Sequence, residues 1–227
     1  MQIDLQFRPS YSLAVVTLAP QERIRADSGA MVSHSAGVQV ETKAEGGLLK
    51  SLGRAMLGGE SFFQNFWQAG PQGGEVTLAP DLPGDMAVIE LSGQPMMVQS
   101  GSYLASESGV DLNTKISGKA MRSGEGFSIL EAIGSGKLLV ASYGAIYEKT
   151  LVTGEQYIVD TSHLVAFDGS IDIQTKAVGG MKSTILSGEG LVAQLTGPGR
   201  VYIQTRSPQA LIGWIIPQIP QSNSTNS

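Results

Sequence analysis

Six charged residues recur at related positions along the chain. Lys43, Lys115 and Lys176 each follow a Thr, and Glu60, Glu125 and Glu189 each follow a Gly. Three lysine–glutamate sets in one fold would put both signs of charge around a polar groove, which suits a small anionic or sugar-like ligand bound where repeats meet. The competing expectation is structural. Lys and Glu at the ends of neighbouring strands form surface pairs worth about 0–1 kcal/mol each, and they keep strand edges from aggregating. The structural role is the simpler of the two.

Other site chemistry is poorly supplied. The chain has no Cys, which excludes disulfides, zinc–thiolate sites, iron–sulfur clusters and thiol nucleophiles. Its two histidines, His34 and His163, fall at different distances from the repeated landmarks described below, so they do not form a symmetric ligand set. No metal and no cofactor is expected. A Gly-x-Ser-x-Gly elbow is missing, and Gly46-Gly47, Gly179-Gly180 and Gly134-Ser135-Gly136-Lys137 lack phosphate-loop spacing and read as turns. With no catalytic constellation, the expectation is a protein that is not an enzyme.

Apolar residues offer a different function. Leu48, Leu49, Leu52, Ala55 and Met56 share one helical face, and Lys50 and Arg54 lie one turn apart on the other. This predicts a short basic amphipathic helix over 48–57 that packs on the protein body or touches a membrane surface or partner. Phe62, Phe63, Phe66 and Trp67 follow on an expected strand with rings on both faces, one of which needs a cover. A C-terminal apolar strand is expected over 209–217, where Leu211, Trp214, Ile215 and Ile216 would seal a barrel end or a subunit interface. Homo-oligomerisation is the expected use of these surfaces.

The elements that position these residues repeat. Thr42-Lys43, Thr114-Lys115 and Thr175-Lys176 each close an alternating run such as Gly37-Val38-Gln39-Val40-Glu41. Counting back the same interval from each Thr reaches Asp27-Ser28-Gly29, Gln99-Ser100-Gly101 and Asp160-Thr161-Ser162. Downstream come Gly59-Glu60, Gly124-Glu125 and Gly188-Glu189, and then glycine turns at Gly73-Gly74, Gly134-Ser135-Gly136 and Gly197-Pro198-Gly199. Four ordered landmarks shared by three blocks predict a triplicated unit, 9–80, 81–144 and 145–208, within one compact domain over 1–220. Length varies only between the Lys and the Glu, which marks that stretch as a variable loop. No Pro- or Ser-rich linker divides the blocks, and Pro80, Pro83 and Gly84 mark the first junction.

Composition agrees with an all-β fold. Of 227 residues, 29 are Gly, 41% are hydrophobic and only 15% are charged, a balance that feeds a packed interior of short strands and tight turns. The net charge of −5 disfavours DNA and RNA as partners. The first residues alternate polar and apolar and read as a strand rather than a secretory signal, so a soluble cytoplasmic protein is the default expectation. The uncharged polar stretch 221–227 is expected to be disordered.

Taken in order, Asp27-Ser28-Gly29, Thr42-Lys43 before Gly46-Gly47, Gly58-Gly59-Glu60-Ser61, Leu78-Ala79-Pro80 before Pro83-Gly84, and Trp214 with Pro217 form a pattern. On these residues the chain resembles the altered inheritance of mitochondria protein 24 family over about 1–220. The resemblance implies three fused copies of the trp RNA-binding attenuation protein fold, a short double-stranded β-helix, packed with pseudo-threefold symmetry. It implies no catalytic residues and no defined activity. The expected function is therefore an oligomerising β scaffold for binding or assembly, with a ligand-binding role as its rival and RNA binding as a disfavoured third.

Overall fold

The computed structural model describes residues 1–43, 64–116, 128–177 and 191–219, and it is mostly β. The segment 48–57 and the rings of Phe62 and Phe63 lie outside the described residues. Strand β1 (Gln2–Gln6) precedes the first block and pairs antiparallel with β2.

The first block supplies β2 (Leu13–Leu18), β3 (Arg23–Asp27), β4 (Met31–His34), β5 (Val38–Lys43), β6 (Gln64–Ala69) and β7 (Gly74–Leu78). The second supplies β8 (Met86–Ser92), β9 (Met96–Gln99), β10 (Tyr103–Glu107), β11 (Val110–Ile116) and the long β12 (Ser128–Ala141). The third supplies β13 (Ile146–Leu151), β14 (Gln156–Asp160), β15 (Leu164–Asp168), β16 (Asp172–Ala177), β17 (Leu191–Thr196) and β18 (Gly199–Gln204).

One pairing scheme recurs in all three blocks. β7 lies between β2 and β4, while β6 lies between β3 and β5. β18 lies between β13 and β15, and β17 between β14 and β16. In the second block β12 does both jobs: its C-terminal half takes β8 and β10, and its N-terminal half takes β9 and β11. Glycine lets β12 pass from one sheet to the other. Gly134 has φ +123°, and a Cβ there would run into the Gly109 carbonyl oxygen. The third strand of each block also carries the same irregularity, a register shift that sets Val32, Leu104 and Val165 out of the ladder.

Blocks are joined by strand pairing as well as by the chain. β10 pairs antiparallel with β3, with Ala105 opposite Ala26, and β15 pairs with β9, with Ala166 opposite Val98. Three apolar clusters fill the interior. The first draws Leu104, Ala105 and Leu139 of the second block onto the first, and the second draws Val165, Ala166 and Tyr202 of the third block onto the second. The third is built from block three with Ile129 and has no buried member from block one.

A second set of contacts binds the starts of the blocks. Ser12 donates its backbone N–H to the Gly84 carbonyl at 3.1 Å, and Asp85 donates to the Gly144 carbonyl at 2.9 Å. Asp85 is the hub of this seam. Its carboxylate accepts from Arg8 Nε at 2.6 Å, Arg8 Nη2 at 3.0 Å, the Met86 backbone N–H at 2.9 Å and Ser12 Oγ at 3.4 Å. A buried charge needs this many donors to offset its lost hydration.

The C-terminal strand expected over 209–217 is a helix instead. Ser207 Oγ caps it by accepting from the Ala210 N–H at 3.3 Å, and Pro208 takes the first turn of α1 (Pro208–Ile215), which a 3-10 turn Ile216–Gln218 extends. A Ser-Pro start presets helical geometry, and the segment has no neighbouring strand to pair with. None of its residues is buried.

Asp85 sets a pH test. Burial alone would raise its pKa, but the Arg8, Met86 and Ser12 hydrogen bonds outweigh it and hold the carboxyl below its ordinary value. Its stabilisation is therefore complete above the unfolded-state pKa of about 4 and is lost as pH falls through the lower folded value. Asp85→Asn should cost about 1–3 kcal/mol in urea denaturation at pH 7, and that deficit should shrink at pH 3. An equal deficit at both pH values would contradict this role.

Candidate functional site

The lysine–glutamate sets do not assemble a site among the described residues. Lys43 and Lys115 lie near the ends of β5 and β11, with side chains outside the described residues, as are Glu60, Glu125 and Glu189. Lys176 is exposed on β16, where its Nζ donates to Gln194 Oε1 at 2.6 Å, an amide rather than a carboxylate. Leu48, Leu49, Lys50, Leu52 and Arg54 also lie outside the described residues.

Of the aromatic cluster, Phe66 and Trp67 are placed. They point to opposite faces of β6, as the alternation of a strand requires. Trp67 is buried, with its ring 5.1 Å from that of His34. Phe66 is half-buried beneath the guanidinium groups of Arg23 and Arg25, 5.3 and 5.8 Å from its centroid. These cations come from β3, far away in sequence. Trp214 is 67% exposed on α1 and covers no barrel end.

The landmarks at Asp27-Ser28-Gly29, Gln99-Ser100-Gly101 and Asp160-Thr161-Ser162, used above only as repeat markers, do come together. They form the corners after β3, β9 and β14, and all three corners line one cavity of about 660 Å³ with Asp27, Gln99, Asp160, Thr161, His163 and Gln204 on its wall. Among the described residues the lining holds carboxylates, hydroxyls, amides and an imidazole and no Lys or Arg, a set that suits a neutral or cationic occupant better than an anionic one. Several of these groups are used by the protein itself. Thr161 Oγ1 donates to the Leu191 carbonyl at 2.9 Å, Asp160 Oδ1 accepts from the Ser162 N–H at 2.8 Å, and His163 Nδ1 lies 2.8 Å from the Gln204 carbonyl. Gln204 bridges two blocks: its Oε1 accepts from the Tyr143 N–H at 2.9 Å and its Nε2 donates to the Ser162 carbonyl at 2.8 Å.

The feature without an internal use is a pair of strand edges. β4 ends one sheet and β14 ends another, and neither has a partner on its outer side among the described residues. Their counterparts in the other blocks are the strands that make the two junctions, β10 and β15 for β4, β3 and β9 for β14. Exposure tracks this difference. Met31 is 38% exposed where Tyr103 and Leu164 are 2% and 1%, and the offset residue Val32 is 57% exposed where Leu104 and Val165 are 4% and 0%. On β14, Ile158 is 64% exposed, whereas its counterpart Arg25 is buried and Met97 partly so.

A model of the family described as mitochondrial biogenesis AIM24 matches residues 4–206, nearly the whole described body. The chain belongs to the AIM24 family. An uncharacterized protein of Streptococcus pyogenes serotype M6 is 28% identical over 234 residues, spanning 99% of this chain and 93% of its own length. The X-ray crystal structure of a Streptococcus pyogenes protein superposes with a TM-score of 0.83 at 26% identity, covering 96% of this chain and 99% of that one. This AIM24 chain thus shares its architecture with a protein of low sequence identity, and neither relative's description supplies an activity. No helix among the described residues is long and apolar enough to cross a membrane.

The Gln204 bridge is testable by stability. Gln204→Ala leaves the Tyr143 N–H and the Ser162 carbonyl without these side-chain partners, and it should cost about 1–3 kcal/mol in chemical denaturation. A change below about 0.5 kcal/mol would show that solvent in the cavity replaces both bonds.

Proposed function

We propose that this AIM24 family member is a non-enzymatic β scaffold that self-associates through the edges of β4 and β14 and serves as a binding or assembly platform. The carrying observation is the exposure of Met31, Val32 and Ile158 at positions whose counterparts are covered in the two internal junctions. Apolar side chains on an unpaired edge are a standing invitation to pairing, and natural edges are normally blunted against it. In this reading each block is one trp RNA-binding attenuation protein-like double-stranded β-helix unit, and successive blocks repeat one junction whose last pair of edges is left open. The repeated pairing scheme and the shared offset at Val32, Leu104 and Val165 support that description.

The reading is checked by mass in solution. Light scattering should give a particle above the 23.8 kDa of one chain, with the mass rising with concentration. Val32→Lys places a charge on an edge residue that is already exposed, so it should leave the circular dichroism unchanged and return the particle to monomer mass. A monomeric parent protein at high concentration, or a V32K variant of undiminished mass, would overturn the proposal.

A further inference from the structure

Resting on that self-association, we infer that the partner is a second copy of this chain docked head to tail, its β14 pairing antiparallel with β4 of the first copy in one defined register. The register follows from the two junctions already built. In both, the third strand of a later block meets the second strand of an earlier one: Ala105, Ser106 and Glu107 face Ala26, Arg25 and Ile24, and Ala166, Phe167 and Asp168 face Val98, Met97 and Met96. The landmarks Asp27, Gln99 and Asp160 end β3, β9 and β14, so the same offset carries over to the free edges. It places Ser33 of one copy opposite Val159 of the other, His34 opposite Ile158, and Ser35 opposite Tyr157.

Three observations choose this occupant. First, the junction type is always third strand on second strand, never like on like, so a copy offering its β14 fits where a copy offering its β4 does not. Second, the two edges do not pair with each other within the chain. Third, charge marks these edges out from the rest. The other strands with a single partner among the described residues, β1, β5, β8, β11, β13 and β16, each carry at least one Asp, Glu or Lys, such as Asp4, Glu41, Glu90, Asp111, Glu148 and Asp172. β4 carries no Lys, Arg, Asp or Glu. On β14 the one acid is Asp160 at its end, and that carboxylate is turned to the Ser162 N–H. Charges of the kind that blunt an edge against pairing are thus carried by the other single-partner strands and are missing from the outer edges of β4 and β14, apart from Asp160. Because one copy offers both halves of a heterologous interface, addition continues into a closed ring or an open fibre.

The absence of Cys makes the register directly measurable by disulfide trapping. One chain carries Ser33→Cys and a second chain Val159→Cys, the latter a buried site; in an independent pair, one carries His34→Cys and the other Ile158→Cys, and both of these sites are exposed. After mixing under mild oxidation, non-reducing electrophoresis should show a cross-linked heterodimer for these pairs. The off-register mixture of S33C with I158C should give about tenfold less, since a one-residue slip turns the thiols to opposite faces. Two results would overturn the inference: S33C chains cross-linking to one another as readily as to V159C chains, or an S33C/V159C double variant closing only within itself. Failure of both in-register pairs, with light scattering still showing oligomers, would sink this register and leave self-association standing. A monomeric parent protein would remove the reading beneath it.

Discussion

A strand in a sheet must satisfy the N–H and C=O groups on both of its sides, with another strand or with water. In this protein that requirement organises everything above the single block. Each block pairs its own strands in the same way, and its second and third strands are left facing outwards. Within the chain, four of those six outward faces are used up as β10 on β3 and β15 on β9. The remaining two, on β4 and β14, have no strand alongside among the described residues.

The side chains follow the same logic. The offset residue of the third strand is Val32, Leu104 or Val165, apolar each time, and it is covered wherever a second strand from another block lies alongside. Burial of such a residue is worth about 1.5–3 kcal/mol, so two covered copies help hold the body together and one uncovered copy is a local liability. The seam around Asp85 does separate work. It ties the block starts together through polar contacts, so the blocks keep their relation whether or not the free edges are filled.

Much of the block was legible in the sequence because its signals are local. The Thr-Lys pairs lie at or near the ends of β5, β11 and β16, and the glycine turns fall between the last two strands of a block or inside β12. The family resemblance is met by the match over residues 4–206. The cavity was not legible as a site: its wall draws on the corners after β3, β9 and β14, and only folding brings the three together. The cations over Phe66 come from β3, a cross-strand neighbour that no short window contains. The C-terminal strand failed for a different reason. A short apolar run fits strand and helix equally, and Ser207-Pro208 was the signal that decides for a helix. The free edges could not have been read at all, because an edge is defined by what does not pair with it.

Amide hydrogen exchange across a concentration series tests the account most directly. It predicts that Met31–His34 and Gln156–Asp160 exchange rapidly in dilute protein and gain protection together as concentration rises, while the strands of the two internal junctions stay protected throughout. Fast exchange on both edges at every concentration, or protection already complete in the dilute monomer, would contradict it.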